Sequence, residues 1–237
     1  MRFVSFLLGM ALWILVLVLT SLVVSTGILG GVMERFPWLS SGTVSQVTML
    51  AASVAIMLAL GRGHLRQYGF RMVKRREIRT VLIYGSIVAV LVQTILALVW
   101  RLVPPSGGHP VLAGSSFLRI VITVWVVASI CEEVFLRGLI QTSLRPLKEI
   151  GVTLLGNRLS LPVIAGAVMF GLMHIMLLTL GADGSLVAGI VGSATVLGVV
   201  AGYYREKTDS LVPAILVHML FNIYGSVSQY IQSLAAG

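Results

Sequence analysis

Seven apolar stretches, each long enough to cross a bilayer, take up most of this 237-residue chain. A helix needs about 20 apolar residues to span the hydrocarbon. The stretches run over 3–28, 41–61, 80–103, 117–141, 161–180, 186–204 and 211–233. They restrict the fold to an all-α, polytopic transmembrane helix bundle, because a helix satisfies its own backbone polar groups in lipid. Residues 1–237 read as a single membrane domain, with three N-terminal spans over 1–103 and a core over 117–225. The first stretch exceeds a signal-peptide core and lacks a clear small-x-small cleavage site, so it reads as a retained first helix. Small residues such as Gly166, Ala167 and Gly171 suit close helix packing.

Charge then sets direction. Only 11% of the residues are charged and 57% are hydrophobic, which excludes a soluble or disordered chain. On a soluble protein the net charge of +9 would suggest nucleic acid. Here the basic residues fall in loops between apolar stretches, so the partner they imply is the lipid bilayer and not nucleic acid. Loop 62–79 carries Arg62, Arg66, Arg71, Lys74, Arg75, Arg76 and Arg79 against Glu77. The fourth loop carries Arg145, Lys148 and Arg158, and the sixth Arg205 and Lys207. The odd-numbered loops are nearly free of charge, with Glu34, Arg35 and Asp183. The positive-inside rule therefore makes the even-numbered loops cytoplasmic, with the N-terminus inside and the C-terminus outside. Trp38 and Trp100 then fall near the outer boundary. The lone Cys131 permits no internal disulfide and reads as a packing residue, while His64 and His109 lie in loops and carry no signal.

Ionisable residues inside the spans are costly, and each marks a functional hypothesis. The fourth span carries Glu132, Glu133 and Arg137; the fifth carries Phe170 and His174; the seventh carries His218 and Asn222. At a rise of 1.5 Å per residue, Glu132 lies ~14 Å from the cytoplasmic end of its helix, His174 ~20 Å, His218 ~10 Å and Asn222 ~16 Å. The four can therefore meet in one layer, in a cavity expected to open toward the cytoplasm. Glu133 and Arg137 are four apart with the acid first, the favoured order for a pair, so Arg137 neutralises Glu133. Glu132 is turned about 100° away and is free to face a cavity. His218 and Asn222 are also four apart, and so are expected to point at one partner. A carboxylate with an imidazole can hold and deprotonate water, and an imidazole with a carboxamide can stabilise an oxyanion. Alternatively, Glu132, His174 and His218 could hold a catalytic zinc with an open fourth position.

These residues carry a resemblance. Glu132-Glu133-x-x-x-Arg137, Phe170-x-x-x-His174 and His218-x-x-x-Asn222, on three spans in this order, resemble the CPBP family. These are the CAAX-protease and bacteriocin-processing membrane enzymes, also called the Abi family. The similarity covers about 117–225, and Gly202-Tyr203-Tyr204-Arg205 with Ser210-Leu211 adds to it. The resemblance implies a Rce1-like intramembrane endopeptidase acting on a membrane-embedded or lipidated peptide or protein. It makes Glu132 the general base and His174 its partner in holding water, with His218 and Asn222 as the oxyanion site. Glu133, Arg137 and Phe170 complete the motifs as supporting residues. Both a metalloprotease and a metal-free glutamate mechanism are associated with the family; Asn222 beside His218 suits oxyanion binding better than ligation, so no cofactor is favoured and zinc stays an alternative.

Two other classes compete. A proton- or ion-coupled transporter also needs buried Glu and His, but no paired repeat of broken helices is evident. A catalytically silent scaffold or immunity protein on the same fold would not need the intact motifs.

Overall fold

The computed structural model describes residues 2–36, 39–108, 110 and 115–236, with side chains through Gln229. Trp38 and His109 lie outside the described residues. The main helices are α1 (Arg2–Ser25), α2 (Ser41–Leu60), α3 (Arg75–Leu102), α4 (117–143), α5 (Leu161–Met173), α6 (Gly184–Thr208) and α7 (Leu211–Ala236). A 3₁₀ segment, His174–Leu180, prolongs α5. Among the described residues, six helices are long and apolar enough to cross a membrane. The other expected span, α4, is helical throughout but alternates α turns with π turns over Val121–Ala128 and Val134–Ile140. Wide π turns are rare and occur most often at functional sites.

Local chemistry sets the helix starts. The Ser40 side chain accepts from the Thr43 amide, and Ser160 accepts from Val163 with Pro162 in the first turn. Asp183 accepts from the amides of Ser185 and Leu186 to cap α6. On α3, Ile83, Ile87, Leu91, Ile95 and Leu98 are all exposed and lie on one face. An apolar stripe of that length is stable against lipid rather than water.

The bundle is built around α4, in which every residue from 131 to 141 is buried. Close approaches seal this half. A Cβ on Gly9 of α1 would come within 2.6 Å of Leu144, and one on Gly138 within 2.9 Å of Met57 on α2. On the other flank Gly198 of α6 lies against Ala167 of α5, and Gly171 against Thr195; Gly166 has no such neighbour.

Hydrogen bonds tie the loops into two ends. At one end the Leu211 amide donates to the Gly69 carbonyl, Ser210 donates to Arg71, and Arg71 pairs with Asp209. Arg145, Lys148, Arg205 and Gln67 line one pocket there. All three basic loops thus share that end. At the opposite end Ser106 donates to Asp183 at 2.6 Å.

Trp100 sits near the end of α3 and is buried against Gly189. Between α4 and α5 the chain also forms an antiparallel hairpin, β1 (Gly151–Leu154) with β2 (Asn157–Ser160). Its two-residue turn holds Leu155 and Gly156 at positive φ, the geometry that favours tight hairpins. Most of the hairpin is exposed, so no alternation of buried residues announces it.

Candidate active site

The two adjacent carboxylates of α4 have different surroundings. Glu133 is fully buried; its Oε1 accepts from His218 Nδ1 at 2.9 Å, and its Oε2 lies 3.1 Å from Arg137 Nε. A carboxylate only accepts, so Nδ1 of His218 carries the hydrogen. The Arg137 contact is an ion pair by proximity, because the N–H is out of line for a hydrogen bond. Arg137 Nη2 donates to the Gly198 carbonyl at 3.0 Å, and the guanidinium lies 4.9 Å from the centre of the Phe170 ring. One turn further, Gln141 donates to the Gly202 carbonyl at 3.0 Å, a second rung between α4 and α6.

Glu132 turns the other way. Its Oε1 accepts from Gln46 Nε2 of α2 at 2.6 Å, and its Oε2 lies 3.8 Å from His218 Nε2. It lines a cavity of about 480 Å³ together with Gln46, Phe170, His174, His218 and Asn222. His174 binds the Phe170 carbonyl through Nδ1 at 2.9 Å. A carbonyl also only accepts, so Nε2 is the free ring nitrogen of His174. Phe170 packs edge-on against both imidazoles, with centroids 5.0 Å from His174 and 5.3 Å from His218. It is buried and acts as the wall between them.

The structure brings the expected site residues together but changes one relationship. His218 and Asn222 do not share one partner. The Asn222 Nδ2 donates to the Val124 carbonyl at 2.9 Å and to Ser129 Oγ at 3.1 Å, both on α4 before the carboxylates. Its amide hydrogens are therefore engaged, and Asn222 holds α4 in place. The cavity extends to the end of the bundle remote from the basic loops. Its rim is formed by Ser21 and Ser25 of α1, Ser41 of α2 and Thr179 after α5, all exposed and all at the end remote from the basic loops. The physical reason is packing: toward the basic end α4 is closed over by Leu136, Leu139, Ile140 and Leu144, which have no exposure at all.

Gln46 is a site residue that motif spacing does not reveal. Its signal in the sequence is a carboxamide within an otherwise apolar span, which needs a partner in lipid. Gln93 of α3 also lines the cavity and approaches Ser193 Oγ at 3.4 Å.

A zinc site built from Glu132, His174 and His218 requires three donors to converge on one point. Among the described residues no group of three His, Cys, Asp or Glu side chains does so.

Residues 114–224 match the family model of the type II CAAX prenyl endopeptidase Rce1-like proteins. That segment is similar to the family. It runs from the start of α4 into α7 and contains Glu132, Glu133, Arg137, Phe170, His174, His218 and Asn222. The family comprises CAAX-type intramembrane endopeptidases acting on membrane-associated prenylated proteins. No curated protein and no solved structure matches the chain. The matched segment lacks Gln46, which α2 supplies from outside it.

Proposed function

We propose that this protein is an intramembrane endopeptidase that hydrolyses a peptide bond of a membrane-associated substrate with water activated by Glu132. The observation that carries this reading is the division between the carboxylates: Glu133 is held by His218 and Arg137, while Glu132 faces the cavity. The 3.8 Å between Glu132 Oε2 and His218 Nε2 is too long for a direct hydrogen bond and suits a shared water.

In the forward step Glu132 takes a proton from that water as its oxygen attacks the scissile carbonyl carbon. His174, fixed through Nδ1 on Phe170, lines the same cavity, where its free Nε2 can accept from that water and hold it beside Glu132. Collapse breaks the C–N bond, and the proton on Glu132 passes to the leaving amine. The products are a new carboxyl terminus and a new amino terminus. Glu133, Arg137 and Asn222 are positioning residues: Glu133 holds His218, Arg137 pairs with Glu133, and Asn222 ties the helix before Glu132. No step passes through a metal.

The test is cleavage by the purified full chain in liposomes, wild type against Glu132→Gln, with proton and ion flux followed in parallel. We expect cleavage that the variant loses, and no flux. Equal cleavage by both, or Glu132-dependent flux without cleavage, would overturn the reading.

A further inference from the structure

We infer that Gln46 of α2 is a positioning residue for Glu132: it anchors one carboxylate oxygen, Oε1, and leaves the other, Oε2, as the base. The site is then incomplete without a span that lies outside residues 114–224. The inference rests on the endopeptidase reading and deepens it at that same site.

The hydrogen bond orients both groups. Gln46 Nε2 donates to Glu132 Oε1 at 2.6 Å, a short bond of the kind an ionised acceptor makes. A carboxylate only accepts, so the carboxamide must turn its NH2 group toward Glu132 and its own Oε1 away. The reverse orientation would set two acceptors against each other. Gln46 Oε1 is buried and has no partner among the described residues. Glu132 Oε2 is left facing His218 Nε2 across 3.8 Å, the gap assigned to the water. The two oxygens of one carboxylate thus have different tasks.

Glu132 needs such an anchor. A glutamate turns about several side-chain bonds, so its carboxylate is placed by what it touches. Glu133 has His218 and Arg137 for this, but among the described residues the Gln46 bond is the one hydrogen bond that Glu132 accepts.

The anchor is itself fixed. Met49, Ser53 and Met57 follow Gln46 at intervals of three and four and so share its face of α2. All three are buried, and Met57 lies against Gly138, where a Cβ would come within 2.9 Å of it. One stripe of α2 therefore carries both the contact that sets its register on α4 and the amide that meets Glu132. A carboxamide in a span often serves only to tie helices together. Gln141 is of that kind, since its amide donates to a main-chain carbonyl of α6. Gln46 instead spends its N–H on the acid that faces the cavity.

The experiment uses the full chain in proteoliposomes with a farnesylated, fluorogenic CAAX peptide as the probe. Gln46→Met keeps the length of the side chain and removes the donor. We expect kcat to fall by about 10²-fold, the scale of a misplacement near 1 Å, with KM and the detergent melting temperature unchanged. In the Glu132→Gln background the same substitution should cost nothing further, because Gln46 acts through Glu132. An unchanged kcat overturns the inference. A raised KM at wild-type kcat overturns it too, since Gln46 would then be a substrate contact. An early-melting Gln46→Met, or an equal further loss on top of Glu132→Gln, makes Gln46 a helix tie and likewise overturns it. In each of these outcomes wild-type cleavage leaves the endopeptidase reading standing. No cleavage by the wild type removes that reading and the inference with it.

Discussion

His218 bridges the two neighbouring glutamates of α4: its Nδ1 lies 2.9 Å from Glu133 Oε1 and its Nε2 lies 3.8 Å from Glu132 Oε2. One ring thus reads a fully buried acid on one edge and a cavity-facing acid on the other.

The two carboxylates should separate on mutation. Glu132→Gln keeps a side chain able to meet Gln46 and should fold, while hydrolysis falls by about 10²–10⁴, the usual contribution of a general base. Glu133→Gln leaves Arg137 without its anion in low dielectric and should lower stability by about 3–5 kcal/mol. Cleavage rate and detergent melting temperature for both variants check this. A stable, inactive Glu133→Gln beside an early-melting Glu132→Gln would reverse the assignment.

Gly198 is where α6 touches both α5 and Arg137. A Cβ there would lie 2.7 Å from Ala167 Cα and 3.1 Å from Arg137 Nη2. Overpacking of this kind costs about 1–3 kcal/mol. Gly198→Ala should therefore melt earlier and lose activity together, since Arg137 holds the acid that orients His218. Gly166→Ala, with open space around its position, is the control and should melt like wild type.

Chelation is expected to leave activity intact. The donor atoms of Glu132, His174 and His218 do not converge on one point, and the water-activating role is assigned to Glu132 itself. Cleavage before and after exhaustive chelation, with metal content measured on the same sample, decides it. Loss of activity with loss of stoichiometric zinc, restored on adding zinc back, would show the opposite.

Asp183 gives a pH signature at the cavity end. The Ser106 hydroxyl, then the Ser185 hydroxyl and amide, hold its carboxyl well below the usual carboxylate range. A depressed folded value stabilises above the unfolded pKa of about 3.9 and is lost as pH falls through the folded value. Asp183→Asn keeps a capping acceptor but not the charge. Its melting temperature should lie below wild type at neutral pH, and the gap should close on acidification below the usual carboxylate range.

Much of this was legible in the sequence, and the reasons differ by element. Apolar length located the helices because lipid leaves the backbone no other solution, and four-residue spacing paired Glu133 with Arg137 because both sit on one helix. Gln46 was hidden because its partner lies 86 residues away, and spacing rules act within one helix. The same rule placed Asn222 on the face of His218, yet could not say that its amide takes the Val124 carbonyl. The reach of the cavity along the bundle could not be read, because residue counting gives depth alone. Which end splays depends on contacts such as Gly9 against Leu144. The π turns of α4 had no counterpart in the apolar pattern, which is nearly uniform there.

The rungs that hold α4 to later helices have a consequence for biogenesis. Glu133 and Arg137 leave the ribosome before their partners on α6 and α7 exist, since Gly198 follows Arg137 by 61 residues and His218 follows Glu133 by 85. A charged side chain at mid-bilayer costs about 2.5–3.5 kcal/mol on insertion. The Glu133–Arg137 pair travels on one helix and offsets part of that cost from the start; Glu132 has Gln46 of the already inserted α2. The rest waits for α6 and α7. A nascent chain stalled before Gly198 therefore presents an incompletely partnered polar helix to the membrane, the kind of substrate that insertion chaperones shelter and quality-control proteases remove.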